Sequence, residues 1–169
     1  GWRYENDGKL GMSKKDRILN KNFILNKEPF NESKILLARD NFGCGSSREH
    51  AVWALRDFGI KAVIASSFGD IFYNNCFKNG VLPITLQKDE IQLLFDKSSN
   101  KVINLSIDLI KKEVQINDDT VITFEVDKNL LDRIVFGIDD IDITLSYKNN
   151  IIDFEKNRMK KHPWIFAND

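Results

Sequence analysis

Short apolar runs alternate with helical stretches between residues 33 and 95, and this alternation constrains the fold more than any other feature of the sequence. Three runs are apolar and bounded by polar residues, as buried strands are: 33–39, 61–65 and 81–86. Three stretches between or after them are typical of helices: 48–58, 68–78 and 89–95. Strands that alternate with helices usually pair in parallel through right-handed crossovers. The sequence therefore predicts an α/β fold.

The pattern changes after residue 100, where strands are expected to dominate. Three segments alternate apolar and polar residues: 102–109, 113–116 and 121–126. Residues 117–119 (Asn-Asp-Asp) indicate a hairpin turn. Three further elements are expected near the end of the chain: a helix over 129–136, a strand over 141–147 and a helix over 151–160. No linker rich in Pro, Gly or Ser interrupts the chain, so residues 1–169 are expected to form one domain.

Composition and charge argue against several classes of partner. Lys plus Arg and Asp plus Glu number 25 each, so the net charge of +0 gives no reason to expect nucleic acid or an anionic membrane. No apolar run could span a bilayer, and the first residues do not resemble a signal peptide. Cys44 and Cys76 form neither a disulfide framework nor a metal-ligand pattern. We expect two reduced thiols in a cytoplasmic protein, with Cys76 in the core.

One loop carries the residues best suited to chemistry. Residues 41–50 (NFGCGSSREH) follow a predicted strand and open a predicted helix. The two glycines allow a sharp turn and a close approach to a ligand. We expect Ser46 and Ser47 at the N-cap, where the first N–H groups of a helix lack internal partners. Those N–H groups, the helix dipole and the guanidinium of Arg48 favour an anion, so the loop predicts a carboxylate or phosphate site.

Other interpretations of the same loop stand beside this one. Ser46, Ser47 and Glu49 could form only a capping box, with no ligand at all. A phosphate-binding P-loop is disfavoured, because no Lys followed by Ser or Thr comes after the second glycine. The dinucleotide-binding pattern is also incomplete, because its third Gly or Ala is missing.

The segment NFGCGSSREHAVWAL closely resembles the signature loop of the aconitase swivelling-domain family, and most of all that of the bacterial 3-isopropylmalate dehydratase small subunits. Five further segments resemble the same family: Trp2-Arg3-Tyr4, 35–39, 61–75, 80–84 and 137–145. The resemblance extends to about Glu155. At the N-terminus the chain departs from the family, because the usual first strand and an Asp-Thr-Asp type segment do not precede Trp2. We therefore expect part of the family domain to be missing there.

The resemblance implies a fold and a set of roles. Members form a β/β/α domain, a barrel-like mixed sheet with flanking helices, that closes over the active site. Ser46 matches the serine that acts as general base and removes a proton from the carbon next to a carboxylate. Ser47 and Arg48 match residues that bind a substrate carboxylate, and Gly45 shapes the turn. Two more residues match the motif and are expected to support the loop without contacting substrate: Glu49 and His50.

The resemblance also implies a cofactor and a partner. The family uses a [4Fe–4S] cluster held by three cysteines, and Cys44 with Cys76 cannot supply one. The cluster is therefore expected in a separate large subunit, with the active site between the two chains in a heterodimer or heterotetramer and Cys44 lining it. The implied reaction is the interconversion of 2-isopropylmalate and 3-isopropylmalate in leucine biosynthesis, by removal and re-addition of water.

Two alternatives stay open from the sequence. One is the small subunit of a related hydro-lyase acting on homoaconitate, citramalate or citraconate, because the pocket for the substrate side group is not visible in the sequence. The other is a non-enzymatic module that binds an anion or RNA. The neutral charge and the lack of a basic patch argue against RNA.

Overall fold

The computed structural model describes residues 2–9, 11–99, 102–117 and 120–165. The N-terminal segment folds back on itself, and Tyr4 and Leu19 form an isolated antiparallel bridge. Residues Lys14–Asp16 form a single 3-10 turn. Three such turns occur before the first strand: Lys14–Asp16, Ile24–Asn26 and Phe30–Glu32.

The first half forms a parallel sheet with helical connections, as predicted. Its strands are β1 (Ile35–Leu37), β2 (Ala62–Ala65) and β3 (Leu82–Thr85), in the order β1-β2-β3. Both strand pairs are parallel. Helix α1 (His50–Phe58) connects β1 to β2, and helix α2 (Asp70–Lys78) connects β2 to β3. All three strands are shorter than the apolar runs that predicted them.

The central strand β2 shows why these residues form a sheet covered on both faces. All four of its residues are buried, which is typical of a parallel strand. Ala62 and Ile64 point into the larger of two apolar clusters, whereas Val63 points into the smaller one. The smaller cluster lies against α1 and α2 and includes Val52 and Cys76. Because successive side chains of a strand point to opposite faces, the residues of β2 contribute to both apolar clusters.

Helix α1 ends where the sequence predicts. Gly59 adopts a left-handed conformation with φ 119°, and its N–H donates to the carbonyls of Leu55 and Arg56. This is the usual C-terminal cap of a helix, and glycine has no Cβ to oppose it.

The second sheet is antiparallel. Its strands are β4 (Leu105–Asp108), β5 (Glu113–Ile116) and β6 (Thr120–Thr123), paired in chain order. Of the predicted hairpin turn, Asp118 and Asp119 lie outside the described residues, and Asn117 adopts φ 50°. Two helices flank the sheets: α3 (Lys88–Ser98) and α4 (Lys128–Phe136).

One core joins the two sheets. The larger apolar cluster takes residues from the parallel sheet, the antiparallel sheet, α3 and α4. Its fully buried members from these elements include Ile64, Ile84, Ile91, Leu94, Val114 and Ile116. The α/β class, with sheets and flanking helices, is therefore confirmed, and the strands are divided into two three-stranded sheets around this shared core.

The predicted strand over 141–147 is wrong. Residues Asp140–Ser146 form helix α5, followed by helix α6 (Lys148–Lys161). The side chain of Asp139 accepts hydrogen bonds from the N–H groups of Ile141 and Asp142, both at 2.8 Å. In turn, the N–H of Asp139 donates to Oδ2 of Asp142 at 3.1 Å, which completes a capping box. This local capping starts a helix despite the alternating pattern.

Helix α6 ends at Lys161, close to the end of the predicted helix over 151–160, and His162 is its C-cap. Pro163–Ile165 form a final 3-10 turn, and Trp164 is exposed. None of the helices in the described part of the chain has the length and apolar character needed to cross a bilayer.

The shared core predicts which isoleucine the fold depends on. Ile64 is fully buried between the sheets, whereas Ile110 is 90% exposed in the turn after β4. We expect Ile64→Ala to lower the free energy of unfolding by about 2–5 kcal/mol, because it leaves a cavity. The matched control Ile110→Ala should change it by less than about 0.5 kcal/mol. Urea unfolding of both variants measures the difference, and equal losses would contradict the assigned core.

Candidate active site

The glycine–serine loop (residues 41–49) leaves the carboxyl end of β1 and leads into α1. In open α/β sheets, ligands bind beside the carboxyl ends of the strands. The loop lies next to the connection after β2, because Phe42 and Phe68 form an isolated parallel bridge. The N–H of Phe42 donates to the carbonyl of Ser67 at 3.0 Å, and the N–H of Gly69 donates to the carbonyl of Phe42 at 2.9 Å. The candidate site is thus built where the chain segments leaving β1 and β2 pair again.

Two glycines allow this close approach. Gly43 adopts φ 79°, and a Cβ at this position would overlap the ring of Phe72. A Cβ at Gly69 would lie 2.9 Å from Cα of Cys44, closer than real side chains approach. By contrast, Gly45 has open space around it and a backbone that does not require glycine. Gly43 and Gly69 therefore shape the loop, whereas the predicted shaping role of Gly45 has no support in this geometry.

Ser46 is half-buried, and its hydroxyl oxygen accepts a hydrogen bond from the N–H of Arg48 at 3.2 Å. Its own N–H donates to the carbonyl of Gly43 at 3.4 Å. The side-chain oxygen is thus the acceptor of a backbone N–H in a short turn. Negative charge on that oxygen would be stabilised by this N–H.

The residues beside Ser46 face solvent. Ser47 and Arg48 are exposed, and within the described part of the chain their side chains make no hydrogen bond or salt bridge. In the same residues, the N–H groups of Ser47 and Glu49 have no protein acceptor. Guanidinium and backbone N–H groups are donors that suit a carboxylate. The loop therefore presents unused donors on the residues that follow the half-buried Ser46.

Helix α1 begins later than predicted. It starts at His50, and Glu49 is the N-cap residue, so neither Ser46 nor Ser47 occupies that position. No side chain caps α1, because the Ser46 oxygen is already bonded to the N–H of Arg48 before the helix begins. The capping-box interpretation of the loop is therefore wrong as well.

The two residues expected to support the loop differ in exposure. Glu49 is half-buried, and its carbonyl accepts from the N–H groups of Val52 and Trp53. His50 is exposed, and its ring centroid lies 4.5 Å from that of Trp53. The indole N–H of Trp53 donates to Oδ1 of Asn79 at 2.7 Å, which connects α1 to the end of α2.

Sequence reasoning missed a polar cluster at the same edge of the sheet. Oδ1 of Asp40 accepts from the Ser66 hydroxyl at 2.7 Å, and Oδ2 accepts from Nζ of Lys88 at 2.9 Å. These residues follow β1, β2 and β3 respectively. The Ser66 hydrogen bond, and then the hydrogen bond and charge of Lys88, hold the pKa of the Asp40 carboxyl below its ordinary 3.8. An Asp and a Ser directly after successive predicted strands were the signal that could have revealed the cluster.

The two thiols do not suit an iron–sulfur cluster. Cys44 is exposed in the loop, whereas Cys76 is completely buried in the smaller core, as predicted. Burial raises the pKa of the Cys76 thiol to about 12, so it stays protonated near neutral pH. Within the described ranges, no three His, Cys, Asp or Glu side chains come together as metal ligands. A cluster held by three thiolates therefore does not fit this chain.

Comparison with known proteins places this site in a family. The aconitase C-terminal domain matches residues 2–89, which contain the whole parallel sheet and the glycine–serine loop. The chain belongs to the aconitase C-terminal domain family. The resemblance inferred from the loop is thereby confirmed, and with it the family expected for the fold.

Relatives from two bacterial groups carry one name within this family. A 3-isopropylmalate dehydratase small subunit from Ruthia magnifica is 47% identical over 164 residues, which is 97% of this chain and 78% of the relative. One from Neisseria meningitidis serogroup C is 44% identical over 166 residues, which is 98% of this chain and 78% of the relative. The match therefore continues far beyond residue 89 and includes both sheets.

A solved structure supports the fold independently. The crystal structure of a 3-isopropylmalate dehydratase from Methanocaldococcus jannaschii superposes with a TM-score of 0.52 at 38% sequence identity. The superposition covers 72% of this chain and 68% of that chain.

The loop geometry predicts opposite tolerance at its two glycines. Gly43→Ala should lower the free energy of unfolding by at least about 1 kcal/mol, because the left-handed backbone and the Phe72 ring both oppose a Cβ. Gly45→Ala is the matched control, and we expect a change within about 0.5 kcal/mol. Thermal and urea unfolding of the two variants provide the measurement. A Gly43→Ala variant as stable as Gly45→Ala would show that the described loop conformation is not the one in solution.

The polar cluster predicts how Asp40 titrates. Because its folded-state pKa is lowered, the contribution of Asp40 to stability is present above pH 3.8 and is lost as pH falls through the lower folded value. Carbon-13 NMR of the side-chain carboxyl should show titration below pH 3.8, and Ser66→Ala should move it upward. The carboxyl of Asp140, which bonds to Arg133 instead, should titrate unchanged and serves as control. An Asp40 titration that Ser66→Ala leaves in place would refute the Ser66 contact.

Proposed function

We propose that this chain is the small subunit of a 3-isopropylmalate dehydratase, with Ser46 as its catalytic base. The enzyme interconverts 2-isopropylmalate and 3-isopropylmalate by removing and re-adding water, a step of leucine biosynthesis. One observation carries the assignment of the base: the oxygen of the half-buried Ser46 accepts the Arg48 N–H, and the next residues of the loop carry donors for which the described residues supply no acceptor. The relatives named as this subunit, at 44–47% identity over nearly the whole chain, support the reaction.

Ser46 needs assistance to act as a base. A serine hydroxyl accepts a proton efficiently only as an alkoxide, and an alkoxide forms only where its negative charge is stabilised. The N–H of Arg48 already donates to this oxygen, and the guanidinium of the same residue adds a positive charge to the loop. Ser46 in this state would remove the proton from the carbon beside the substrate carboxylate and return it in the reverse direction.

Arg48 and Ser47 are proposed to hold the substrate carboxylate. A guanidinium can donate two parallel hydrogen bonds to one carboxylate, which fixes both its position and its orientation. Orientation matters here, because the carbon that loses the proton must lie beside the Ser46 oxygen. Gly45 is proposed to leave room for the substrate, since among the described residues, its two chain neighbours aside, no atom lies within 4 Å of the position a Cβ would take. Glu49 and His50 are proposed to support the start of α1 without touching the substrate.

The partner is proposed to be a large subunit that carries the [4Fe–4S] cluster, because the thiols of this chain do not fit one. The exposed side of the glycine–serine loop is where that subunit would close the active site, with Cys44 lining it, in a heterodimer or heterotetramer. The isolated chain would then be inactive. Two free cysteines and biosynthetic relatives support a cytoplasmic location.

Turnover of alternative substrates tests which substrate side group the enzyme accepts. Homoaconitate and citraconate share the carboxylate that Arg48 would bind, and they differ from isopropylmalate beyond it. Turnover of the three compounds by the assembled enzyme separates the dehydratase from the related hydro-lyases. Clear preference for isopropylmalate is the expected result.

Substitution of Ser46 tests the mechanism. In the enzyme assembled from both subunits, Ser46→Ala should lower kcat by about 10²–10⁴-fold, because the proton acceptor is lost while the carboxylate-binding groups remain. KM should change much less. Formation of the unsaturated intermediate, followed by its absorbance, gives both constants.

Ser106→Ala is the control for this experiment, because Ser106 is an exposed serine on β4 in the antiparallel sheet. It should retain the kcat of the unsubstituted enzyme. Assembly with the large subunit and the unfolding temperature should be the same in both variants. Undiminished turnover by an assembled Ser46→Ala enzyme would remove Ser46 from the mechanism.

A further inference from the structure

The connection after β2 begins with two adjacent serines, Ser66 and Ser67, and both are bonded to the chain that enters the glycine–serine loop. The Ser67 hydroxyl accepts from the N–H of Asn41 at 2.8 Å, and the Ser67 carbonyl accepts from the N–H of Phe42 at 3.0 Å. One residue therefore binds two consecutive N–H groups at the start of the loop.

These bonds are made at a residue whose backbone is left-handed. Asn41 adopts φ 58°, in the left-handed region that residues with a Cβ rarely occupy. Asn enters this region more readily than most residues with a Cβ, and hydrogen bonds to its backbone select this conformation over the alternatives. The Ser67 hydroxyl is a side-chain contact that holds the N–H of this residue.

The residue before Asn41 is held as well. Asp40 joins the ends of all three parallel strands, through Ser66 after β2 and Lys88 after β3. Its side chain is 48% exposed and that of Lys88 is 76% exposed. Because exposed ion pairs contribute little to stability, a stabilising role does not account for this cluster.

The conformation at residue 41 is transmitted to Ser46 through two successive turns. The N–H of Cys44 donates to the carbonyl of Asn41 at 3.2 Å, and the N–H of Ser46 donates to the carbonyl of Gly43 at 3.4 Å. A rotation at Asn41 would therefore displace the Ser46 oxygen. Displacement of a reacting group by about 1 Å can cost about 10²-fold in rate.

We propose that Ser67, assisted by the Asp40–Ser66–Lys88 cluster, is a positioning residue that sets the place of the Ser46 hydroxyl. It touches no substrate and acts through the backbone of residues 41–46. This inference rests on the proposed function in one respect, because the rate to be measured is that of the proposed dehydratase.

The test is a double-substitution cycle in the enzyme assembled from both subunits. Ser67→Ala should lower kcat by about 10–100-fold with a small change in KM, since the loop donors remain but the base is displaced. Ser67→Thr keeps the hydroxyl and should restore most of the rate. In Ser46→Ala/Ser67→Ala, the second change should cost nothing further, because a positioning residue has no effect once the group it positions is gone.

Ser99→Ala is the matched control, because the Ser99 hydroxyl bonds only to the end of its own helix, at the carbonyl of Asp96. It should leave kcat unchanged. A residue that merely stabilised the fold would lower the unfolding temperature and reduce the rate by the same factor with or without Ser46. Full turnover by Ser67→Ala, or independent multiplication of the two effects, would overturn the positioning role.

A second measurement does not depend on the reaction. In the isolated chain, Ser67→Ala should speed amide hydrogen exchange at Asn41, Cys44 and Ser46, whereas Ser99→Ala should not. If Ser46→Ala retains full turnover, the proposed base is wrong, and this exchange pattern alone decides whether Ser67 orders the loop. Unchanged exchange at all three amides would overturn the proposal whatever the enzyme does.

Discussion

The chain segments that leave β1 and β2 pair again beyond the ends of both strands, and the candidate active site is built on this second contact. Phe42 exchanges two backbone hydrogen bonds with the residues on either side of Phe68, at 3.0 and 2.9 Å. Backbone hydrogen bonds fix direction as well as distance. The ring of Phe42 also packs edge-on against Phe72, with centroids 5.3 Å apart. Together these contacts join the start of the loop to α2, where Gly43 lies against the Phe72 ring.

The loop is therefore ordered on one side and open on the other. Its inner side is packed against α2 through Phe42 and Gly43, whereas Ser47 and Arg48 on its outer side face solvent. This division suits the proposed function. A base must be held within a fraction of an ångström of its target, while a substrate must be able to enter and a second polypeptide must be able to cover it. Packing against α2 holds the base in place. The exposed side lets a substrate enter and leaves a surface that the proposed large subunit can cover.

Much of the fold could be predicted because local pattern and tertiary environment agree. The apolar run of β2 is buried on both faces, and α1 ends at Phe58, the last residue of the predicted helix. The prediction failed where the two disagree. Residues 141–147 alternate apolar and polar side chains like a strand, but Asp139 caps a helix there. Ile141 is 67% exposed, so its apolar side chain is not buried against a sheet as the alternation predicted. The start of α1 was misplaced for a related reason, since the Ser46 hydroxyl bonds locally to the N–H of Arg48.

The candidate site was predictable in its residue types and not in its connections. A glycine–serine loop with an arginine indicates anion binding from local properties alone, because N–H groups and a guanidinium are donors wherever the loop lies. Asp40, in contrast, bonds to Ser66 and Lys88, which lie 26 and 48 positions further along the chain. Only the parallel topology, which gathers the carboxyl ends of β1, β2 and β3 at one edge, brings those residues together. Exposed polar residues of this kind leave no mark on the hydrophobic pattern and contribute little to stability. Their effect is on geometry, and its one sign in the sequence is that Asp40 and Ser66 directly follow predicted strands.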